Sequence, residues 1–520
     1  MPRFIFAEIF CPVKFFKKLL TGSLICLAGV MGVFTLLVFY PLPQNAFVQQ
    51  DYNTYVIKNI SLIDVENDTV LPGRNILIQG NLITSVSEDE FHVLPNQGII
   101  DGAGKFVLPA FWDMHAHLMH ISPAIGYPLF VANGVTHVRD MRGAINNRDL
   151  FASSVAKTKA WNAAVQLGKM VGPRVHGYTS FAVEGPHRMF KGSPDYFNCT
   201  NPEEAKKLVH YLKAHGFTQV KVYNNIPRAS FFALAAEAKR IGMDVVGHKP
   251  YSVTAIEASN AGMKSLEHAK FLLWESFSGA DEVVTAATPG KLDNSDFRKR
   301  LLAEHDTVKL RQILETFARN RTWYCPTHLT RKADAYAGNA EFRKRYDHIN
   351  PLLRFLSLED LDATISEDTS ATARAVYLDF YLQGSRISHQ AYRQGVKILA
   401  GSDVPELPGS SLHDELLELR RAGLPAFEVL RTATLYPAQY FDAEARYGSI
   451  KAGKVADLVI LNANPVTDIS HTRKISAVFF NGNYIADAQV EALVSQTNEL
   501  SNGILVSAKL IWAMLLNMTI

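Results

Sequence analysis

Hydrophobic and polar positions follow two different periods along the chain. Residues 55–65, 75–79 and 82–86 alternate apolar and polar side chains, with Gly and Asn between the runs, which is typical of short half-buried strands. Similar strands recur near the other end of the chain, at 456–461 and 475–480. Since neither set can close a core alone, we expect one small β-sandwich built from both ends of the chain.

The middle of the chain alternates strand-like apolar runs with helical ones, such as the apolar-striped segments 202–215 and 229–241. This alternation predicts parallel βα units, and eight such strands predict an α/β fold with a (β/α)8 TIM-like barrel. The strand candidates are 111–117, 135–140, 174–180, 218–223, 244–248, 264–267, 322–327 and 397–403. Two connections, 271–311 and 331–395, are too long for barrel loops, and we expect them to cap the strand ends.

The N-terminus carries basic residues, at Arg3, Lys14, Lys17 and Lys18, before the uncharged run 19–40. About 20 apolar residues are enough to cross a bilayer, so the run predicts a transmembrane signal anchor. Basic residues before the span favour a catalytic body on the non-cytoplasmic side, periplasmic or extracellular and held to the membrane. A cleaved signal peptide, which would leave the body secreted, is the alternative.

These patterns divide the chain into five predicted parts. They are the cytoplasmic tip and anchor (1–43), the first part of the sandwich (50–108), the barrel (109–440), the second part of the sandwich (441–490) and an apolar C-terminal helix (491–520). That last helix either packs on the body or lies on the membrane surface. Apolar residues at 48% and charged residues at 20% exclude a disordered chain, and a net charge of +3 gives no support for a nucleic-acid partner.

Candidate metal ligands fall at the ends of the predicted strands. His115 and His117 are two apart on the first strand, so both imidazoles can share one face. An isolated His-x-His is weak evidence, but other metal-ligand types end later strands. They are Lys221, His248, His268 and Asp403. Because a barrel places its chemistry at the C-terminal ends of its strands, six such residues together predict a metal centre.

Several longer motifs surround these residues. They are PAFWDMHAH (109–117), KVY (221–223), GSD (401–403), LHDEL (412–416), ATLYPA (433–438) and GSIKAGKVADL (448–458). Together they resemble the amidohydrolase superfamily over about residues 50 to 490. Within it, the chain is most similar to two-metal members near Xaa-Pro dipeptidase (prolidase) and the imidazolonepropionase-related group.

The resemblance implies a ligand set for two divalent ions, with zinc favoured because the donors are imidazoles and carboxylates. His115, His117 and Asp403 would hold one ion, and His248 and His268 the other. Lys221 would be carboxylated, so that its carbamate bridges both ions. A hydroxide bridging the two metals would attack the substrate carbonyl, and Asp403 would also serve as general acid and base.

Three further residues are candidates for the substrate site. Tyr223 matches a family tyrosine that can hydrogen-bond the substrate carbonyl, although core packing is the alternative. His187 resembles the histidine of a Gly-Gly-His loop, but Pro186 departs from that pattern. Arg139 ends the second strand and could bind a substrate carboxylate, or pair with Asp140 or Asp113.

We therefore expect a hydrolase of amide C–N bonds that acts on dipeptides or N-acyl amino acids. A one-metal deaminase, or an imidazolonepropionase-like hydrolase of cyclic C–N substrates, is the alternative, and it would have no use for Lys221. A non-catalytic scaffold is a third class, which would be expected to have lost ligands. The exact substrate does not follow from the sequence, and a homo-oligomer is left open.

Overall fold

The computed structural model describes residues 12–47, 52–146, 151–186, 198–285 and 294–519. Its strands are β1 (Thr54–Asp64), β2 (Thr69–Gln79), β3 (Leu82–Ser87), β4 (Gly98–Asp101), β5 (Phe106–Pro109), β6 (Phe111–Ala116), β7 (Val135–Ala144), β8 (Ser153–Ser154), β9 (Arg174–Ser180), β10 (Gln219–Val222), β11 (Asp244–Gly247), β12 (Met263–Glu267), β13 (Trp323–Cys325), β14 (Leu458–Leu461), β15 (Ile475–Phe480) and β16 (Asn483–Ala486).

The helices connect and cover these strands. They are α1 (Pro12–Phe39), α2 (Ser122–Ile125), α3 (Tyr127–Ala132), α4 (Val155–Gln166), α5 (Pro202–Ala214), α6 (Arg228–Arg240), α7 (Ala255–Asn260), α8 (Lys270–Leu273), α9 (Ala280–Thr285), α10 (Ser295–Ala303), α11 (Thr307–Asn320), α12 (His328–Ala335), α13 (Ala340–Arg343), α14 (Pro351–Glu367), α15 (Ala373–Arg393), α16 (Ser410–Arg421), α17 (Ala426–Thr432), α18 (Leu435–Tyr440), α19 (Asp487–Asn502) and α20 (Ile504–Thr519).

Local sequence explains why the helices begin and end where they do. In α5 the Asn201 side chain accepts from the Glu204 N–H, and Pro202 occupies the first turn, where no N–H is needed. The buried side chains recur at helical spacing and form one stripe against the barrel. They are Ala205, Leu208, Val209 and Leu212. The two helices expected at 202–215 and 229–241 lie within one residue of α5 and α6.

Seven strands form a nearly closed parallel barrel, in the order β6, β7, β9, β10, β11, β12, β13. Neighbouring strands stay close in register, so that Lys221 of β10 lies opposite Val246 of β11, and Val246 lies opposite Ser265 of β12. The parallel register brings all C-terminal strand ends to one face.

The eighth predicted strand, 397–403, is not a regular strand in the structure, which corrects the expectation of eight. The segment nevertheless closes the barrel through two backbone hydrogen bonds to each flanking strand, which include Leu399 N to Tyr324 O (2.8 Å) and Met114 N to Ala400 O (2.9 Å). Its ladder is interrupted because the Ala400 N–H donates to Thr432 O instead of to a neighbouring strand.

A second sheet combines both ends of the chain, in the order β16, β15, β14, β5, β1, β2, β3, with β4 also paired to β1. The contribution from both ends agrees with the sequence pattern. The sheet is one continuous mixed sheet rather than two separate layers, which differs from the predicted sandwich. It encloses an apolar core of its own, which includes Ile57, Ile76 and Phe479.

One helical segment in the described part of the chain, Leu19–Phe39, is by itself long and apolar enough to cross a membrane. Its C-terminal end contacts α20, where the Lys509 ammonium donates to the Val38 carbonyl. The apolar C-terminal stretch forms two helices rather than one, since α19 and α20 are bent by 53°. Val506 and Leu510 of α20 pack in a cluster with Ile125 and Leu353 of the body.

Candidate metal centre

The six predicted ligands come together at the C-terminal end of the barrel. His115 lies in β6 and Lys221 in β10, while His117, His248 and His268 each follow directly after a strand, and Asp403 ends the closing segment. All six are at least largely buried, so that the polar atoms they offer point into the protein and not into bulk water.

One half of the centre is a tight group of two histidines and a carboxylate. His117 Nε2 lies 3.0 Å from Asp403 Oδ1, and His115 Nε2 lies 3.6 Å from the same oxygen. The three ligand atoms all lie within 4.8 Å of one another. Imidazole nitrogens and a carboxylate oxygen at such separations can share one divalent ion.

The chemistry of this group fits a metal ion. His115 Nε2 is buried and has no hydrogen-bond partner among the described residues. A buried nitrogen without a partner is costly unless something binds it. Burial also lowers the pKa of His117 to about 4, although Asp403 acts in the opposite direction, so the imidazole is neutral near pH 7 and has a lone pair to donate.

Hydrogen bonds to Nδ1 orient the imidazole rings of His115 and His248, so that the Nε2 atom of each ring faces the centre. Glu267 Oε2 lies 3.0 Å from His115 Nδ1, and Asn224 Oδ1 lies 2.7 Å from His248 Nδ1. The Asn224 amide nitrogen in turn donates to Tyr251 Oη at 3.3 Å, which supports the oxygen as the group facing His248. With acceptors on both Nδ1 atoms, the protons lie there and each Nε2 is left as a ligand atom.

The second half of the centre contains His248, His268 and Lys221. The two imidazole rings meet edge to face with their centroids 4.5 Å apart, and His268 Nδ1 lies 3.6 Å from Asp403 Oδ2. The Lys221 ammonium is buried and donates to Met141 O at 2.9 Å. Burial lowers its pKa to about 8, although Asp403 and Glu267 act in the opposite direction. A share of neutral amine, which reaction with carbon dioxide requires, is therefore present near neutral pH.

Backbone conformation at three neighbouring strand ends is unusual. His268, Thr327 and Asp403 have positive φ values of 70°, 43° and 53°. Such values are strained for residues other than glycine, and especially for the β-branched Thr327. Thr327 Oγ1 lies 2.7 Å from His268 Nδ1. This hydrogen bond links the strained backbone at His268 to the strained backbone at Thr327.

Arg139 does not reach the substrate side of this centre, which corrects its predicted role. Its side chain is fully buried and all five N–H groups are engaged inside the barrel. The acceptors are Met114 O, Ser265 Oγ, Tyr440 Oη and both oxygens of Glu267. No donor remains for a substrate carboxylate, and the ion-pair partner is Glu267 rather than Asp140 or Asp113.

The comparison with protein families identifies this arrangement. The model of the amidohydrolase family matches residues 106–485, which include the barrel and all six candidate ligands. The chain belongs to the amidohydrolase family. Members of this family generally bind metals, and the groups described above provide a site for them in this chain.

Solved structures of other amidohydrolases share the fold. A Xaa-Pro dipeptidase with methionine bound in its active site has a TM-score of 0.60 and 21% identity, covering 83% of this chain and 100% of that one. A bottromycin amidohydrolase has a TM-score of 0.66 and 22% identity, covering 91% and 92%. The resemblance to prolidase-like amidohydrolases expected from the motifs is thus confirmed at the level of the fold.

Two curated relatives are adenine deaminases. The protein of Rubrobacter xylanophilus is 36% identical over 66 residues, which are 12% of this chain and 11% of the relative. Adenine deaminase 3 of Rhizobium meliloti is 22% identical over 449 residues, which are 84% of this chain and 58% of the relative. The chain thus spans about a tenth of the first relative and less than two thirds of the second.

Two other predicted site residues have different outcomes in this amidohydrolase. Tyr223 is half-buried and stacks on His248, with ring centroids 3.9 Å apart. Burial raises the pKa of its hydroxyl above the ordinary value, so it remains a neutral donor beside the metal ligands. His187 lies outside the described residues. Glu184, three residues earlier in the sequence, is buried, and burial raises the pKa of its carboxyl to about 7.

Several supporting residues were not predicted from the sequence. They are Glu267, Asn224, Thr327, Asp113 and Ser402, which bind the ligands or the backbone beside them. Asp113 accepts from the N–H groups of His115 and Ser402 and from Ser402 Oγ at 2.6 Å, and so ties the first strand to the closing segment. Their place in the sequence could have indicated them, since each lies within two residues of a candidate ligand or of a strand end.

Proposed function

We propose that this amidohydrolase hydrolyses amide C–N bonds of dipeptides or N-acyl amino acids and uses two divalent metal ions, with zinc favoured. The observation that carries the proposal is the convergence of His115, His117 and Asp403 on one side with His248 and His268 on the other. Lys221 lies in the strand between the two sets.

In the proposed division, His115, His117 and Asp403 hold one ion, and His248 and His268 hold the other. Lys221 would bridge them as a carbamate, because a protonated ammonium repels metal ions and has no lone pair. Bound ions would supply a Lewis acid for the carbonyl and lower the pKa of water towards 7.

Side chains of the protein would transfer the proton of the attacking water. Burial would raise the pKa of Asp403, but the neighbouring side chains of His115 and His117 hold it well below the ordinary value. Asp403 is thus an ionised base that can take the proton of the attacking water and pass it to the leaving nitrogen. Tyr223, as a neutral donor next to His248, would hydrogen-bond the oxygen on which charge develops.

A one-metal deaminase is the second candidate, favoured by the similarity to adenine deaminase 3 over most of this chain. Such an enzyme would release ammonia from a cyclic amidine and would not need Lys221. The low exposure and central position of Lys221, which is 5% accessible, support the two-metal proposal over this one.

For the location of the enzyme, we propose a membrane anchor through Leu19–Phe39, with the body on the non-cytoplasmic side. The length and hydropathy of that helix support the proposal. The basic residues before it favour the orientation. Alkaline carbonate extraction of membranes, followed by protease treatment of intact cells, would test anchoring and sidedness, and a soluble mature chain would favour cleavage instead.

The function is tested with the full chain in detergent. Metal content is measured by mass spectrometry, and hydrolysis is measured for dipeptides, N-acyl amino acids and adenine. We expect close to two ions per chain, loss of activity after chelation with recovery on adding zinc, and release of free amino acids. One ion per chain together with ammonia release from adenine, and no amide cleavage, would overturn the proposal in favour of the deaminase.

A further inference from the structure

A small cavity adjoins the metal centre on the side of His117. Its walls are mostly apolar and come from four parts of the chain: the segment after β6, residues 349–353, the loop after Asp403 and α19. Apolar lining residues include Met119, Ile125, Phe130 and Leu353. Ile349 and Asn498 border both this cavity and a wider cleft on the outer surface.

Glu406 is the acidic side chain of this cavity, which is otherwise lined by apolar and neutral polar groups and by His117. It is half-buried and lies three residues after Asp403. Among the described residues it forms no ion pair. The Arg345 guanidinium lowers the pKa of Glu406 through its charge, and that guanidinium also donates to Asp414 at 2.8 Å.

A carboxylate on an apolar wall is unfavourable unless a cation or several donors approach it. Here burial and the charges of Asp403 and Asp360 raise the pKa of Glu406 to about 7. The cavity therefore presents two requirements at once, an apolar group to fill it and a positive charge to pair with its carboxylate. The amino-terminal residue of a peptide, with an apolar side chain beside an α-ammonium group, meets both.

We infer that Glu406 binds the α-ammonium group of a peptide substrate whose amino-terminal side chain occupies the cavity beside His117. Glu406 would then determine specificity, selecting peptides with a free amino terminus over N-acyl amino acids. This inference rests on the proposed amide hydrolysis, because the cavity lies beside the ligands that would act on the scissile carbonyl.

The other occupant to consider is the acyl chain of an N-acyl amino acid. It would fill the apolar part of the cavity equally well, but it would leave the carboxyl group of Glu406 unpaired in a site from which water has been displaced. With a pKa raised to about 7, Glu406 would be protonated beside an acyl chain and would gain no charge pairing, whereas an α-ammonium group would pair with its carboxylate. This charge pairing thus favours the peptide.

The test compares two substrates that differ only in the ammonium group, leucyl-alanine and 4-methylpentanoyl-alanine. The zinc-loaded full chain is assayed with both, beside the variants Glu406→Gln and Glu359→Gln. Glu359 is an exposed glutamate of α14 and serves as the matched control. Thermal unfolding is followed for each variant, so that loss of folding is separated from loss of selectivity.

We expect kcat/KM for leucyl-alanine to exceed that for 4-methylpentanoyl-alanine on the order of tenfold or more, as for a paired interfacial charge. Glu406→Gln should bring that ratio close to one, and Glu359→Gln should leave it unchanged. Equal rates for both substrates, or a ratio that Glu406→Gln does not alter, would overturn the inference alone. If the enzyme cleaves neither these nor any other amide, the proposed function fails instead.

Discussion

Glu267 Oε2 lies 3.0 Å from Nδ1 of His115, and both side chains are buried. The carboxylate also accepts two bonds from Arg139, each 2.8 Å long. Burial would raise the pKa of Glu267, but the Arg139 charge holds it well below its ordinary value. An ionised acceptor keeps the proton of His115 on Nδ1, so Nε2 is free to bind metal.

Glu267→Gln should therefore weaken metal binding without removing a ligand. The amide keeps the shape of the carboxylate but not its charge, so it supports the His115 ring less well and leaves Arg139 without its counter-ion. We expect the affinity for metal to fall by a factor of about 10–100, as is usual when a group that supports a metal ligand is lost. We also expect a loss of roughly 3–5 kcal/mol in unfolding free energy. Competition with a chromophoric chelator and chemical denaturation measure the two effects.

Glu415→Gln is the matched control for that prediction. Glu415 is equally buried and binds His328 Nδ1 at 2.8 Å, but His328 pairs through Nε2 with Ser388 and is not one of the metal ligands. This variant should lower stability and leave metal affinity nearly unchanged. If both variants reduce metal affinity equally, Glu267 acts only by stabilising the barrel.

Gly247→Ala should disturb the metal centre through Lys221. Gly247 precedes His248 with a φ of 108°, and an added Cβ would lie 2.9 Å from Lys221 Cγ and 2.7 Å from Val222 O. Either Lys221 or the backbone of β11 must move, so we expect loss of at least about 90% of activity, equal to a barrier increase of about 1.4 kcal/mol.

Gly242→Ala provides the comparison, because Gly242 also has a positive φ, of 70°, but nothing lies within 4 Å of an added Cβ. It should cost some stability from backbone strain and leave the rate per folded molecule unchanged. Steady-state kinetics corrected for the folded fraction distinguish the two variants. Equal losses of rate would mean that strain, and not contact with Lys221, explains the Gly247 effect.

The fold could be predicted as far as local pattern determines it. Parallel strands separated by amphipathic helices identified the barrel, and two sets of alternating strands identified the sheet built from both ends. The segment 397–403 has the composition of a strand, but its regular ladder is lost because Ala400 binds Thr432, a contact that no local pattern reveals. In the same way, the sequence did not reveal the bend between α19 and α20.

The candidate site, like the fold, could be predicted only where local sequence determines it. The six candidate ligands could be proposed from the sequence because each lies beside a strand end, where barrel chemistry is expected. Glu267 could not be assigned, because it acts on His115 across 152 residues of sequence. Arg139 was assigned to the substrate for a related reason. A charged residue at a strand end looks accessible in sequence, and only the tertiary structure reveals that Glu267, Ser265 and Tyr440 surround it.

Asp403→Asn tests the proposed proton transfer. The side-chain oxygen of asparagine can still face the metal with His115 and His117, but the amide cannot take a proton from water near neutral pH. We therefore expect a fall in kcat of about 100-fold or more, in line with the usual contribution of a general base. Most of the bound metal should remain, as measured by mass spectrometry after gel filtration. A variant with metal and full activity would exclude Asp403 as the base.

Acid should destabilise the metal-free protein through buried histidines, and His137 offers the clearest case. Its ring stacks on Trp112 at a centroid distance of 4.1 Å, and Nε2 lies 3.1 Å from Asp457 Oδ2. Burial lowers the pKa of His137 to about 4, although Asp457 acts in the opposite direction. In the unfolded chain the pKa is near 6.5, so between about pH 4 and 6.5 the unfolded state binds more protons.

The contribution of neutral His137 is fully present above about pH 6.5 and is lost as the pH falls towards 4, with a slope approaching 1.4 kcal/mol per pH unit. His137→Gln keeps a donor for Asp457 but does not titrate, so its unfolding free energy should fall less steeply over this range than that of the wild type. Denaturant unfolding of both proteins in the presence of chelator, at half-unit pH steps, measures the difference. Parallel pH profiles would mean that His137 is protonated in the folded protein, and that its pairing with Asp457 outweighs its burial.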